Sequence, residues 1–188
     1  TVTIRGDRIE AVDPAGVRAA DLDLGNVALI PGLVNAHTHL DLSVGRGAVP
    51  PTDPDRFPDW LRGVIAFRRS RTSEQTDADI AAGLRECLAA GTTLIGDIAS
   101  EGRRWDALAA ARVRATVFRE LIGLSHDRGL AALAAGRDWL AARPDTRTVR
   151  AGLSPHAPYS AGAFVYANAG GYGGRRVPVA THLAESPG

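Results

Sequence analysis

The sequence contains no methionine, no lysine and a single cysteine, and each scarcity closes a class of explanation. One cysteine, Cys87, excludes an intrachain disulfide, so a stapled secreted framework is ruled out and a reducing, cytoplasmic setting is the expectation. Without lysine, Schiff-base and carboxylated-lysine chemistry are closed to this stretch, since all 22 basic residues are arginine. No apolar run approaches the roughly 18 residues that span a bilayer, and no basic-then-apolar leader opens the chain, so no membrane partner is expected. The net charge is only +1 with the arginines scattered, which argues against a nucleic-acid surface and for a small-molecule substrate. Composition neither requires nor excludes a homo-oligomer. The chain lacks an initiating methionine and opens inside an alternating stretch, Thr1-Val2-Thr3-Ile4, so the natural N-terminus is expected upstream.

What is present divides into a short β-rich opening and a longer alternation. Val2-Thr3-Ile4 and Ile9-Glu10-Ala11-Val12 flank a Gly6-Asp7 turn, the pattern of a β-hairpin, and a further short strand is expected at Asp21 to Leu24. Residues 1–26 therefore read as part of a small all-β accessory domain, with too few strands to stand alone. From residue 27 to 188, apolar strands alternate with helices. Strands are expected at 27–34, 92–98, 115–122, 149–153 and 177–181. Helices are expected near 60–68, from 73 or 76 to 90, at 104–112 and at 128–142, with Gly91 and Pro144 as stops. Strands that are apolar almost throughout imply an α/β fold with a parallel sheet covered on its outer face. Residues 161–174 include Ala-Asn-Ala-Gly-Gly-Tyr-Gly-Gly, so only a short or broken helix is expected there. Five strands fit either an open sheet or the front of an eight-stranded β/α barrel, which typically needs about 250 residues.

Four of the five histidines, His37, His39, His156 and His182, fall at or just after strand ends, and only His126 sits in a loop before a helix. In a parallel sheet or barrel those ends gather on one face, so the four converge without being neighbours in sequence. Residues two apart on an extended chain point the same way, so His37 and His39 can face one metal ion, zinc first and iron as the alternative. Glu185 follows His182 by three. Zinc lowers the pKa of water from 15.7 to about 7, and a nearby carboxylate then takes that proton while His182 helps hold the metal. Asp97 ends the second strand, and Arg119 and Glu120 end the third. These last two would border the same pocket as substrate-binding groups, Arg119 facing a carboxylate or ribose-bearing substrate, or would pair with each other as a structural ion pair.

Pro-Gly-Leu-Val-Asn-Ala-His37-Thr-His39, Ser154-Pro155-His156-Ala157-Pro158-Tyr159-Ser160 and Thr181-His182-Leu-Ala-Glu185-Ser186 together resemble the ordered motifs of the amidohydrolase superfamily. The subgroup they resemble contains cytosine, guanine, S-adenosylhomocysteine and aminofutalosine deaminases and triazine chlorohydrolases. The resemblance covers essentially the whole chain, with the opening hairpin similar to that family's β-sandwich. It implies an incomplete (β/α)8 TIM-type barrel holding the first five strands. It also implies one divalent metal on His37, His39 and His182, Glu185 as proton shuttle and His156 as a substrate-orienting residue. The reaction implied is hydrolytic deamination of an aminated N-heterocycle or nucleoside, with displacement of chloride from a triazine as the alternative. The family's later histidine, after strand six, and its aspartate, after strand eight, have no counterpart up to Gly188. A truncated, non-catalytic metal-binding fragment is therefore a third reading, and the chain alone is expected to be inactive and poorly folded.

Overall fold

In the computed structural model, which describes residues 1–50, 53–100, 105–111 and 113–185, the chain packs as two units, Thr1–Pro31 and Gly32–Gly188. In the first unit, β1 (Val2–Arg5) pairs antiparallel with β2 (Arg8–Val12) around Gly6, whose φ of 63° suits a residue without a Cβ. The strand expected at 21–24 does not form. There the Asp23 carboxylate accepts from the Gly25 amide at 2.8 Å, and Gly25 takes a φ of 68°, so the side chain competes the backbone into a turn.

The second unit is built on four parallel strands: β3 (Leu33–Thr38), β4 (Thr92–Ala99), β5 (Arg114–Leu121) and β6 (Val149–Pro155), hydrogen-bonded in that order. β3 begins later than the apolar run at Val27 suggests. Pro31 has no N–H to give a ladder, and the first bond made is from the Leu33 amide to the Gly91 carbonyl at 2.9 Å. The strand consequently runs on through His37. Gly96 on β4 lies so close to β3 that a Cβ there would fall on the Ala36 carbonyl oxygen.

Helices α1 (Phe57–Ser70) and α2 (Ser73–Ala89) fill the first connection. Thr72 and Gln75 form a capping box at the start of α2, each side chain taking the other's backbone N–H, and Gly91 ends that segment at φ 82°. α3 (Trp105–Ala110) and α4 (His126–Ala141) follow. Arg104 and Arg112, the expected ends of α3, lie outside the described residues. Ser125 caps α4, so His126 is its first residue and not part of a loop. Ile95, Val117, Leu121, Leu140, Val149 and Leu153 are at most 2% exposed and form the core with Trp105 and Trp139, which meet edge to face at 5.9 Å.

The fourth connection holds the short α5 (Ala163–Ala169) and then an antiparallel ribbon, β7 (Gly171–Tyr172) with β8 (Arg175–Arg176), turned by Gly173 and Gly174 at positive φ. Residues 177–181 do not form the full fifth strand expected. They run beside β6 on one bridge, Leu153 to Val179, with Leu153 N–H to Pro178 O at 3.0 Å and Ala180 N–H to Leu153 O at 3.1 Å. Pro178 supplies an acceptor but no donor, which limits the ladder to this. Among the described residues, no helix is long and apolar enough to cross a membrane.

Candidate metal centre

His37 lies in β3 and His39 one residue past its end, so the pleat sends both rings to one side. His182 follows the segment beside β6, placed by its own N–H bonding to the His156 carbonyl at 2.9 Å. Neighbouring strands sit about 4.8 Å apart, so a flat ladder would leave β3 and this segment about 19 Å apart. Instead, His182 Nε2 lies 3.1 Å from His37 Nε2 and 3.0 Å from His39 Nε2. The sheet is therefore curled, as a barrel wall is.

A ring nitrogen has one in-plane lone pair, so a hydrogen bond accounts for at most one of these two contacts. A divalent cation held between the three rings would satisfy both, with the His39 hydrogen then on Nδ1. Zinc–nitrogen bonds of about 2.0–2.1 Å in a tetrahedron put ligand nitrogens roughly 3.3 Å apart, close to the spacing seen. His182 Nδ1 donates to the His156 carbonyl at 2.9 Å, which leaves Nε2 bare and in the ligating tautomer. Burial first, then the neighbouring His182, lowers the pKa of His37. Burial, then the Arg68 charge, lowers that of His39 to about 3. Both rings thus stay neutral, the form that binds metal. The donor set fits one divalent ion of the zinc or iron kind.

The surrounding groups are arranged by short local bonds. Ala184 adopts φ 55°, a left-handed conformation that costs a residue with a Cβ about 1 kcal/mol, and it redirects the chain at Glu185. Tyr159 donates its hydroxyl to Glu185 Oε2 at 2.7 Å, and burial together with that bond holds the phenol well above its ordinary pKa. The Glu185 charge reaches both His37 and His156, favouring their protonated forms. Ser160 Oγ donates to the Ala157 carbonyl at 3.2 Å, which leaves it to accept from His156 Nδ1 at 2.7 Å. His156 Nε2 is thereby an acceptor, and burial lowers its pKa ahead of the opposing pull of Glu120.

Glu120 is buried at the end of β5. Its Oε2 accepts from Ser100 Oγ at 2.9 Å, while Oε1 faces His156 Nε2 at 3.8 Å and has no hydrogen-bond partner. Arg119 does not join it: β5 keeps regular register, so consecutive residues face opposite sides, and Arg119 shares the side of Val117 and Leu121. Asp97, 3% exposed, accepts from the Leu40 N–H at 3.0 Å and so pins the backbone next to His39. Burial raises its pKa to about 7. His126 lies against Phe164, with ring centroids 4.7 Å apart. Sequence reasoning missed Arg68 and Asp41. Arg68, on α1, donates from Nε to Asp41 Oδ2 at 2.8 Å and from its NH2 group to His39 Nδ1 at 3.0 Å. Nothing in the spacing of two residues on separate elements signals that contact.

The profile of the amidohydrolase family matches residues 28–188. The 5-methylthioadenosine/S-adenosylhomocysteine deaminase of Moorella thermoacetica is 33% identical over 174 residues, covering 84% of this chain and 38% of the relative. Among solved structures, aminofutalosine deaminase of Helicobacter pylori in complex with methylthio-coformycin superposes with a TM-score of 0.61 and 25% identity, over 74% of this chain and 33% of that one. An adenosine deaminase from Xanthomonas campestris with bound zinc shares the fold, with a TM-score of 0.54 and 23% identity over 69% of this chain and 30% of that one. The chain spans less than half the length of each. By the extent of the profile match and by its relatives, this chain belongs to the amidohydrolase family.

Proposed function

We propose that the protein is a metal-dependent aminohydrolase that releases ammonia from an aminated N-heterocycle carried on a nucleoside. The observation that supports this best is the pairing of three converging imidazoles with a separate carboxylate, Glu185, held by Tyr159 and free of the metal-ligand cluster. A divalent ion on His37, His39 and His182 would make water acidic enough to lose a proton near neutral pH. Glu185 is the base that receives this proton. The Tyr159 hydroxyl occupies Oε2, so Oε1 is the oxygen left to carry it. From there the proton goes to a ring nitrogen of the substrate as the water oxygen bonds to the amine-bearing carbon. The added hydroxyl then gives its proton, through Glu185, to the amine nitrogen, and the carbon–nitrogen bond breaks to leave a carbonyl and release ammonia. His156, held by Ser160, offers Nε2 to a substrate donor group and so fixes the ring against this path.

The nucleoside class is supported by the Moorella thermoacetica relative, whose name states deamination of 5-methylthioadenosine and S-adenosylhomocysteine. Ammonia and chloride release should be measured with adenosine-type nucleosides, cytosine, guanine and a chlorotriazine. Ammonia from the adenosine type is the expected result. Chloride release with no deamination would overturn the reading.

A further inference from the structure

The contact between Arg68 and His39 sets a condition on the metal site, and the inference drawn from it rests on the metal reading above. A guanidinium has hydrogens to give and no lone pair to take one. At 3.0 Å from Arg68, Nδ1 of His39 must therefore be the acceptor, and in a neutral ring the hydrogen then sits on Nε2. That Nε2–H points at His182 Nε2, 3.0 Å away, which is bare because His182 Nδ1 donates to the His156 carbonyl. This chain of bonds uses the one His182 lone pair for His39, leaves the 3.1 Å contact of His37 with His182 without a hydrogen bond, and holds His39 in the one neutral tautomer whose Nε2 cannot bind metal. Ligation through Nε2 moves the hydrogen to Nδ1, head-on against the Arg68 N–H.

Arg68 is also aimed. Asp41 accepts from its Nε at 2.8 Å and from its NH2 group at 3.3 Å, leaving the second NH2 hydrogen for His39, and Glu120 Oε2 lies 3.9 Å from its third nitrogen. The side chain is 24% exposed and that of Asp41 16%, so the ion pair is partly shielded from water. Both carboxylates remain available to the guanidinium when it leaves the imidazole.

We propose that Arg68 is a positioning residue that gates metal loading: docked by Asp41, it selects the non-ligating tautomer of His39, so a bound ion and the Arg68–His39 contact exclude each other. Two readouts test this, neither of them turnover. Zinc affinity, measured against a chromophoric chelator, should rise about tenfold or more in Arg68→Met, because the ion no longer displaces a charge-assisted hydrogen bond. The exposed neighbour variant Arg69→Met should match wild type. Imidazole nitrogen NMR on the unmutated, metal-free protein should show His39 protonated on Nε2, switching to Nδ1 when zinc is added.

Zinc uptake that depends on His37 but is equal or weaker in Arg68→Met overturns the gate alone. So does an Nδ1–H tautomer of His39 before zinc is added. Zinc uptake that His37→Ala leaves untouched overturns the metal reading, and the gate with it.

Discussion

Replacing Asp97 with asparagine should stabilise the metal-free protein in neutral and alkaline solution, although it removes a charged residue from the centre of the fold. Asp97 is 3% exposed, and burial carries its carboxyl from 3.8 to about 7, with Asp41 and Glu120 adding to the rise while the Leu40 N–H and Arg68 oppose it. The fold therefore holds this proton after the unfolded chain has lost it. Its stability is full below pH 3.8, declines as pH climbs toward about 7, and stays low above. At about 1.4 kcal/mol per tenfold in proton affinity, the loss amounts to about 4 kcal/mol. Asparagine keeps the oxygen that accepts from the Leu40 N–H and never ionises, so it escapes the loss. Alanine escapes it too but strands that buried N–H, a pH-independent cost of about 1–3 kcal/mol. Urea unfolding followed by circular dichroism from pH 4 to 9 should show the asparagine and wild-type curves separating up to about pH 7 and running parallel above. Curves parallel throughout would refute the argument.

Loss of either His37 or His39 should be as plain. His37→Ala and His39→Ala should each remove most bound zinc, read by elemental analysis, and nearly all turnover; full metal in both would sink the ligand assignment. Glu185→Gln should keep its metal while turnover falls by roughly 10² or more, and metal loss would instead make Glu185 a ligand. Gly96→Ala puts a methyl on the Ala36 carbonyl oxygen, so it should lower stability by about 1–3 kcal/mol and weaken zinc binding by shifting β3; an unchanged melting curve would contradict the close approach.

The parts legible in the sequence were those governed by local repetition. β4, β5 and β6 are largely buried, so their apolar runs announce them, and the glycine stop at Gly91 delimits the end of α2 closely. The missing strand at 21–24 traces to the Asp23–Gly25 turn, and two other misplacements trace to prolines. Pro31 delays β3 and Pro178 keeps 177–181 from a full ladder, since hydropathy counts apolar side chains and ignores the missing donor. At the site, alternation brings out His37 and His39. Applied to Arg119 and Glu120, the same alternation would have separated them, because adjacent strand residues cannot share a face. Arg68 meets His39 across 29 residues and Tyr159 meets Glu185 across 26, the latter beside a left-handed Ala184. Neither contact has a periodic signature.

The curled sheet brings together rings 145 residues apart in the chain, and this changes what a bound ion would be mechanically. It would act as a reversible cross-link closing nearly the whole second unit into a loop, restraining the unfolded chain much as a long-range disulfide does. The cross-link cannot form until β3 and the segment beside β6 are both in place, so metal uptake would report completion of the sheet. A protease cut in any surface connection between His39 and His182 would then leave two pieces tied through the ion as well as through the sheet. Chelation would remove the tie, and limited proteolysis with and without chelator would expose it as a difference in how readily the pieces separate in dilute urea.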